Sequence, residues 1–408
     1  MCPPPQHSVR SQMSPNRTMR PTFSSRTDWD LRPSALTALL EEKRAKGERI
    51  IDLTNSNPTR CGILHAPSWN SEILRRSAVY EPDPKGLLAA RQAIAAWYRT
   101  LGRLVDAEQI VLTSSTSEAY SFLLKLLCNV GESIAVPKPS YPLFEYLSRL
   151  NDVACRHYQL AYDGEWHFDF ASLEESLAAG VKGVIIVHPN NPTGSYVKIK
   201  EAETVVRLLA SHGTALVVDE VFHTFPLGNA DHRAGSFAGT EEVLTFAVNG
   251  LSKLAALPQM KLAWVAVSGP QDAVNSALGR LEVIADTYLS VSSPVQHAAC
   301  DILNRHQEHA KPVLDRIVRN YHDLKRIIDG DSPLTVLRSE GGWSAMVQLP
   351  ASRSDETWAL HLLQSQNVMT HPGHLFDCDI KACLVLSLLP EPEIFSEGVQ
   401  RICSAVST

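Results

Sequence analysis

Two short apolar runs of this chain each lead into a charged side chain: Ala215-Leu-Val-Val-Asp219, and Val243-Leu-Thr-Phe-Ala-Val248 followed by Asn249-Gly-Leu-Ser-Lys253. A third run begins at Gly183 and leads into His188-Pro-Asn-Asn-Pro-Thr-Gly194. Short apolar runs of this kind, about thirty residues apart, are typical of buried strands joined by helices. They predict an α/β fold whose mainly parallel sheet is covered by helices on both faces.

The alternation of helices and short strands extends from about residue 85 to residue 268. After residue 295 a long helical stretch, 295–329, leads to three apolar runs that predict the strands of a smaller α+β domain. We therefore expect a large domain over residues 60–290. Residues 26–59 and 291–408, from the two chain ends, would form the small domain. Residues 1–25, rich in Pro, Ser, Arg and Gln, are expected to form a flexible tail.

The composition excludes several classes of protein. The 408 residues carry a net charge of -6, which argues against nucleic-acid binding. No apolar run is long enough to span a membrane, and the amino terminus lacks a secretory signal. The eight cysteines contain no CxxC pair. They therefore indicate neither zinc nor any other metal site, and free thiols favour a cytoplasmic protein.

Three side chains carry the chemistry. Chemistry in open α/β sheets collects at the carboxyl ends of strands, where Asn191, Asp219 and Lys253 are expected. A lysine that can form a Schiff base and an acid beside a pyridine nitrogen are what pyridoxal phosphate needs. Taken singly, each has an ordinary interpretation: a solvated lysine, a helix-capping aspartate and a turn at Asn190-Asn-Pro-Thr-Gly194.

Further residues suit the phosphate and the ring of this cofactor. Thr113-Ser-Ser-Thr-Ser117 precedes a helix whose amino terminus could bind phosphate, although the same residues also serve as helix caps. Lys261 is either a second phosphate cation or a lysine at the start of a strand. Tyr141 either stacks on a flat ring or packs its own loop.

With these motifs in order, the chain resembles the class I/II aminotransferases of pyridoxal phosphate fold type I, related to aspartate aminotransferase. The resemblance extends from about Asp52 to the carboxyl terminus. The motifs that carry it are Tyr80 with Gly86, Arg91-Gln-Ala-Ile94, Thr113 to Ala119, Pro139-Ser-Tyr-Pro142, Asn191-Pro-Thr-Gly194, Asp219-Glu-Val-Phe222, Ser252-Lys253 and His371-Pro-Gly373.

The resemblance implies a role for each matching residue. Lys253 forms the Schiff base, Asp219 pairs with the pyridine nitrogen, and these two are the catalytic residues. Tyr80 would reach the phosphate of a neighbouring subunit, which implies a homodimer. The cofactor-binding residues implied in this way are Tyr80, Ser115, Thr116, Tyr141, Asn191, Asp219, Ser252, Lys253 and Lys261.

The chain also departs from the family pattern. Phe222 stands where the family has tyrosine, Lys261 where it has arginine, and Gln259 where it has glycine. Val385 occupies the position of the arginine that clamps the substrate α-carboxylate, and valine cannot make that two-pronged contact. The chain is therefore expected to be an atypical branch of the family.

Two explanations of Val385 follow. In the first, another arginine supplies the guanidinium: Arg26, in a segment that would fold over the site, or Arg60. In the second, the substrate is an amine or an amino acid whose carboxylate is masked. The expected function is a transaminase that moves an amino group between an amino donor and a keto acid. The alternatives are a β-elimination lyase on the same scaffold and a non-catalytic pyridoxal phosphate-binding protein.

Overall fold

The computed structural model describes residues 24–27, 32–63, 71–78, 82–228, 232–289, 291–328 and 332–407. The chain divides into two compact units, residues 1–32 and 33–408. Within the first, Ser25–Thr27 form one 3-10 turn, and the Thr27 N–H donates to the Ser24 carbonyl at 2.9 Å. Residues 1–23 of the predicted tail lie outside the described residues.

Residues 33–408 carry every described strand. In chain order these are β1 (Ile51–Asp52), β2 (Ile110–Thr113), β3 (Ser133–Lys138), β4 (Ala154–Tyr162), β5 (Trp166–Phe168), β6 (Gly183–Val187), β7 (Ala215–Asp219), β8 (Thr245–Gly250), β9 (Ala263–Ser268), β10 (Thr335–Val336), β11 (Ser344–Gln348), β12 (Val368–Met369), β13 (His371–Pro372) and β14 (Cys383–Ser387).

The largest sheet has eight strands in the order β2-β9-β8-β7-β6-β3-β4-β5. The pairs from β8 through β4 are parallel, whereas β9 is antiparallel to both of its neighbours and β5 is antiparallel to β4. The strands β2, β6, β7 and β8 therefore all run in the same direction. Their carboxyl ends meet at one edge of the sheet, as the predicted mainly parallel α/β fold requires.

Helices cover both faces of this sheet. The described α-helices are α1 (Ala35–Ala45), α2 (Ser71–Arg76), α3 (Leu88–Thr100), α4 (Thr116–Leu127), α5 (Leu143–Leu150), α6 (Phe170–Ala178), α7 (Ile199–His212), α8 (Leu251–Leu254), α9 (Gln271–Tyr288), α10 (Ser293–Asn304), α11 (His306–Ile328), α12 (Asp355–Gln366) and α13 (Pro392–Ser407). The inner strands are buried along their whole length, because apolar side chains of helices pack on each face. None of these helices is both long enough and apolar enough to cross a membrane.

A second, antiparallel sheet has the order β10-β11-β14-β13, and β1 pairs in parallel with β12. One apolar core joins residues near both ends of the chain, from Leu36 to Ile63 and from Ala310 to Ala405. The same core also includes Phe222, Phe225 and Ala256, so the division into 60–290 and the chain ends stays a prediction.

Several elements differ from the sequence-based expectation. The helical stretch 295–329 is two helices, α10 and α11, which separate at Arg305. The strand expected at 243–248 lies at 245–250, because Asn249 and Gly250 pair with Trp264 and Ala263 of β9.

Gly86 shows how tightly the large sheet is packed. Its φ of +90° is a left-handed conformation, and a Cβ added there would overlap the side chain of Leu112 in β2. Left-handed backbone costs a non-glycine residue about 1–2 kcal/mol, and overpacking adds about 1–3 kcal/mol.

We predict that Gly86→Ala lowers the free energy of unfolding by about 3 kcal/mol. Gly47→Ala is the matched control, because Gly47 also has a positive φ of +70° but its added Cβ would meet no described atom within 4 Å. The control should lose about 1 kcal/mol. Urea unfolding of both variants measures the difference, and equal losses would contradict the packing argument.

Candidate active site

A cavity of about 450 Å³ opens where the carboxyl ends of the parallel strands face the four-stranded sheet. One part of its wall comes from the ends of β7 and β8 and from the start of α4. The other part comes from β11, β13 and β14. The cavity therefore brings together residues that lie far apart in the sequence.

Asp219, the last residue of β7, lies in this cavity with 7% of its surface exposed. Its Oδ2 accepts a hydrogen bond from the Tyr120 hydroxyl at 2.9 Å, and its Oδ1 accepts one from the Val221 N–H at 3.1 Å. Burial raises the pKa of Asp219 to about 6, although both hydrogen bonds oppose the rise. The carboxylate has no ion-pair partner within 4.0 Å among the described residues, so its ionised form would be stabilised by a buried cation.

Lys253 lies on the short helix α8, immediately after β8. Its Nζ is 5.0 Å from the ring centroid of Trp343 and 5.9 Å from that of Phe222. Burial lowers the pKa of Lys253, and the negative charge of Asp219 opposes this effect. No described residue accepts a hydrogen bond from this amine, which leaves it available for reaction.

The amino terminus of α4 forms another part of the wall. Ser115 is the helix cap, and its Oγ accepts a hydrogen bond from the Glu118 N–H at 3.1 Å. The capping interpretation of Ser115 is therefore correct, and its hydroxyl proton is still free to be donated to a ligand. Thr116, Ser252 and Lys261 line the same cavity.

Asn191 and Tyr141 also line the cavity. The Asn191 Oδ1 accepts a weak hydrogen bond from Ser344 Oγ at 3.5 Å, which links the loop after β6 to β11. The Tyr141 ring packs edge-to-face on Phe144 with centroids 6.1 Å apart, yet 37% of its surface is exposed. The remaining ring surface is available for stacking.

The remaining predicted residues are Tyr80, Arg60 and Arg26. Tyr80 lies outside the described residues. Arg60 ends a 3-10 helix, Pro58–Arg60, and is exposed; it is not among the residues that line the cavity. Arg26 belongs to the other compact unit.

Three further residues of the site were missed from the sequence. Tyr120 lies one turn after Thr116 on α4, so the i, i+4 spacing could have placed it on the same face. His371 lies in β13 of the second sheet and Trp343 directly precedes β11, and no local pattern indicates that this sheet faces β7 and β8.

Comparison with known proteins identifies the family. Residues 66–402 match the family described as aminotransferase class I and II. The chain belongs to this family.

Curated relatives of this aminotransferase agree with that assignment. It is 24% identical to a glutamate-pyruvate aminotransferase of Haemophilus influenzae, over 90% of this chain and 92% of that protein. It is 26% identical to an alanine aminotransferase of Mycobacterium bovis, over 88% and 86% of the two chains. An Escherichia coli aminotransferase structure has the same fold, with a TM-score of 0.83, 23% identity and coverage of 95% and 98%.

The predicted fold, cofactor and enzyme class are thereby confirmed: the chain is a pyridoxal phosphate-dependent aminotransferase of fold type I. The cavity fits this cofactor, because it combines an amine without a hydrogen-bond partner in the described structure, a buried carboxylate and a helix amino terminus. Amino transfer implies an amino acid and a keto acid as the substrates.

The raised pKa of Asp219 predicts how the stability of the cofactor-free protein depends on pH. A folded-state pKa of about 6, against an ordinary value of 3.8, means that the folded state holds its proton at a higher pH than the unfolded state. This stabilising contribution is complete below about pH 4 and is lost as the pH rises through about 6. The free energy involved is about 3 kcal/mol.

Asp219→Asn keeps the shape of the side chain but not its charge. We predict that the stability of this variant relative to wild type increases from pH 4 to pH 7, and that the full gain is about 3 kcal/mol. Urea unfolding of both cofactor-free proteins across this range measures the gain. Adding the cofactor should then stabilise the wild type more than the variant. Parallel stability curves for the two proteins would contradict the prediction.

Proposed function

We propose that Lys253 and Asp219 are the catalytic residues that carry out the amino transfer. The observation that supports this most strongly is that a buried amine and a buried carboxylate, from the ends of neighbouring parallel strands, share one cavity. When bound, pyridoxal phosphate supplies an electrophilic aldehyde carbon and a protonated ring that accepts electrons from the substrate.

Asp219 is proposed to hold the ring nitrogen in its protonated form. The Tyr120 hydroxyl and the Val221 N–H fix the two carboxylate oxygens. Burial raises the pKa of the Tyr120 hydroxyl well above its ordinary value, as does the nearby charge of Asp219, so the hydroxyl remains a donor. A ring N–H cation would supply the charge partner that the carboxylate lacks among the described residues.

Lys253 is proposed to attach the cofactor and then to move the proton at the substrate α-carbon. Its lowered pKa raises the fraction of neutral amine, which is the form that acts as a nucleophile or a base. The rings of Trp343 and Phe222 border the amine. They limit the positions that its flexible side chain can take.

The remaining cofactor contacts are proposed for the phosphate and the ring. Ser115, Thr116, Ser252 and Lys261 would hold the phosphate at the amino terminus of α4, where free N–H groups and the helix dipole favour anions. Tyr141 would stack on the ring. Asn191 would donate to the phenolic oxygen, and Phe222 cannot add a second donor there because it has no hydroxyl.

We predict that Lys253→Ala abolishes the covalent adduct formed when the cofactor-loaded protein is reduced with borohydride. The reason is that only an amine in reach of the aldehyde carbon can form the reducible bond. Peptide mass spectrometry should find the cofactor on the Lys253 peptide of the wild type. Lys261→Ala is the control and should keep the adduct while it binds the cofactor more weakly. An adduct that survives in Lys253→Ala would refute the assignment.

The substrates are proposed to be an amino acid donor and a keto acid acceptor, as the names of the alanine and glutamate-pyruvate aminotransferases among the relatives suggest. Arg26 and Arg60 stay the candidates for a guanidinium that would replace the family arginine at Val385. The other branch, an amine substrate or one with a masked carboxylate, requires neither.

If Arg26 or Arg60 supplies that guanidinium, Arg26→Ala or Arg60→Ala should raise KM for amino acids by about tenfold or more, because a hydrogen bond to a charged group is worth about 1.5–3 kcal/mol. The kcat should change much less, since the catalytic residues are untouched. Steady-state kinetics with L-glutamate as the donor and pyruvate as the acceptor measure both parameters. If both variants match wild type, and amines without a carboxylate react equally well, the arginine branch is wrong.

We also propose that the enzyme is a cytoplasmic homodimer. The seven described cysteines are all free, which suits a reducing compartment. The dimer rests on Tyr80, whose family role is to reach the phosphate of the neighbouring subunit.

We predict that light scattering at assay concentration gives twice the chain mass of 44.9 kDa. Tyr80→Phe should weaken cofactor binding without dissociating the dimer, because it removes one hydroxyl donor only. A fully active protein with the mass of one chain would contradict the composite site.

A further inference from the structure

The wall that carries Val385 has an ionisable neighbour. In the antiparallel pair β13–β14, His371 lies directly opposite Val385, and both residues line the cavity. Side chains of directly opposed residues project from the same face of a sheet and lie side by side. An imidazole therefore stands beside the position at which the family pattern has its carboxylate-binding arginine.

His371 is one of the few residues of the cavity wall that can carry a positive charge. Among the described residues that line the cavity, only Lys253, Lys261 and His371 can carry a positive charge. The proposed function uses Lys253 for attachment of the cofactor and Lys261 for its phosphate. His371 is the remaining one; it lies opposite Val385 and packs on Phe376.

The ring of His371 packs edge-to-face on Phe376, with ring centroids 5.9 Å apart. Burial lowers the pKa of His371, and the nearby charge of Asp52 opposes this effect. The imidazole forms no hydrogen bond with a described residue, and it lies on the cavity wall. By contrast, His374 in the same segment is held by Asp355, with Nδ1 3.0 Å from a carboxylate oxygen.

Other polar groups on this wall already have partners. Ser387, two residues beyond Val385 on the same face of β14, donates its hydroxyl to the Asn55 carbonyl at 2.7 Å. Ser344 donates weakly to Asn191. A carboxylate placed against Val385 would therefore find its strongest unused donor in His371.

We propose that His371 binds the α-carboxylate of the amino acid substrate, and that it is a specificity-determining residue of this enzyme. The proposal rests on the proposed function, because it takes Lys253 and Lys261 to be occupied by the cofactor. A single imidazole N–H gives one contact where an arginine gives two parallel ones. The enzyme should accordingly prefer amino acids over the matching amines by a smaller factor than a guanidinium clamp would give.

The test compares an amino acid with the amine that lacks only its carboxylate. The cofactor-loaded enzyme is mixed with L-alanine or ethylamine, and with L-phenylalanine or 2-phenylethylamine, and the dissociation constants are taken from the change in cofactor absorption. Propionate, which has the carboxylate but no amine to react, is added as a competitor. The variants are His371→Phe, which removes the N–H but keeps a ring, and His371→Asn, which keeps a donor.

We expect His371→Phe to raise the dissociation constants of both amino acids, and the inhibition constant of propionate, about tenfold or more. Those of the two amines should stay within about twofold of wild type. His371→Asn should recover part of the loss. His374→Asn is the matched control and should leave every constant unchanged, because His374 is held by Asp355 and is not among the cavity residues.

Other results would overturn the proposal. Unchanged amino acid and propionate constants in His371→Phe, or an equal loss for acids and amines, would show that His371 does not bind the carboxylate. If His371→Phe fails to fold, as its thermal melting would show, His371→Leu replaces it with the same expectation. A wild type that takes up no cofactor would instead refute the proposed function itself.

Discussion

The burial of the Asp219 carboxylate is the constraint around which the site is arranged. A carboxylate withdrawn from water needs hydrogen-bond donors and a positive charge nearby. The chain supplies two donors, the Tyr120 hydroxyl and the Val221 N–H, and yet the pKa stays raised at about 6. A further cation would stabilise the ionised form, which favours a protonated ring nitrogen beside this carboxylate.

The same burial acts on Lys253 in the opposite direction. Loss of water lowers the pKa of the amine and raises that of the acid, so each group moves towards its neutral form. The neutral amine is the reactive form of lysine. Asp219 needs its ionised form, which a bound cation stabilises. Burial in a single cavity therefore acts on both groups, and the rings of Trp343 and Phe222 border the amine.

Particular residues show how far the sequence could predict this molecule. The strands β6 and β7 were found correctly because both faces are buried, which leaves continuous apolar runs. The strand β4 was missed because it alternates exposed and partly buried residues, among them Arg156, His157 and Gln159. The break between α10 and α11 at Arg305 has neither glycine nor proline to mark it, so no local signal separates the two helices.

The same contrast holds within the site. Asp219, Lys253 and Asn191 were brought together by one rule, that parallel strands end at the same edge. The pairing of His371 with Val385 depends on the register of a second sheet, and its distance from β7 and β8 depends on tertiary packing. No periodic pattern in the sequence indicates either feature. His371 was therefore quoted as part of a motif, but its position beside Val385 could not be predicted.

The origin of the cavity wall in two separate sheets has a consequence for how this enzyme could diversify. Asp219 ends a strand of the eight-stranded sheet and Lys253 closely follows another, whereas His371 and Val385 lie in the four-stranded sheet. Mutations on the second sheet leave the backbone that carries Lys253 and Asp219 untouched. A change of amino donor can therefore arise on the second sheet while the reaction chemistry stays intact.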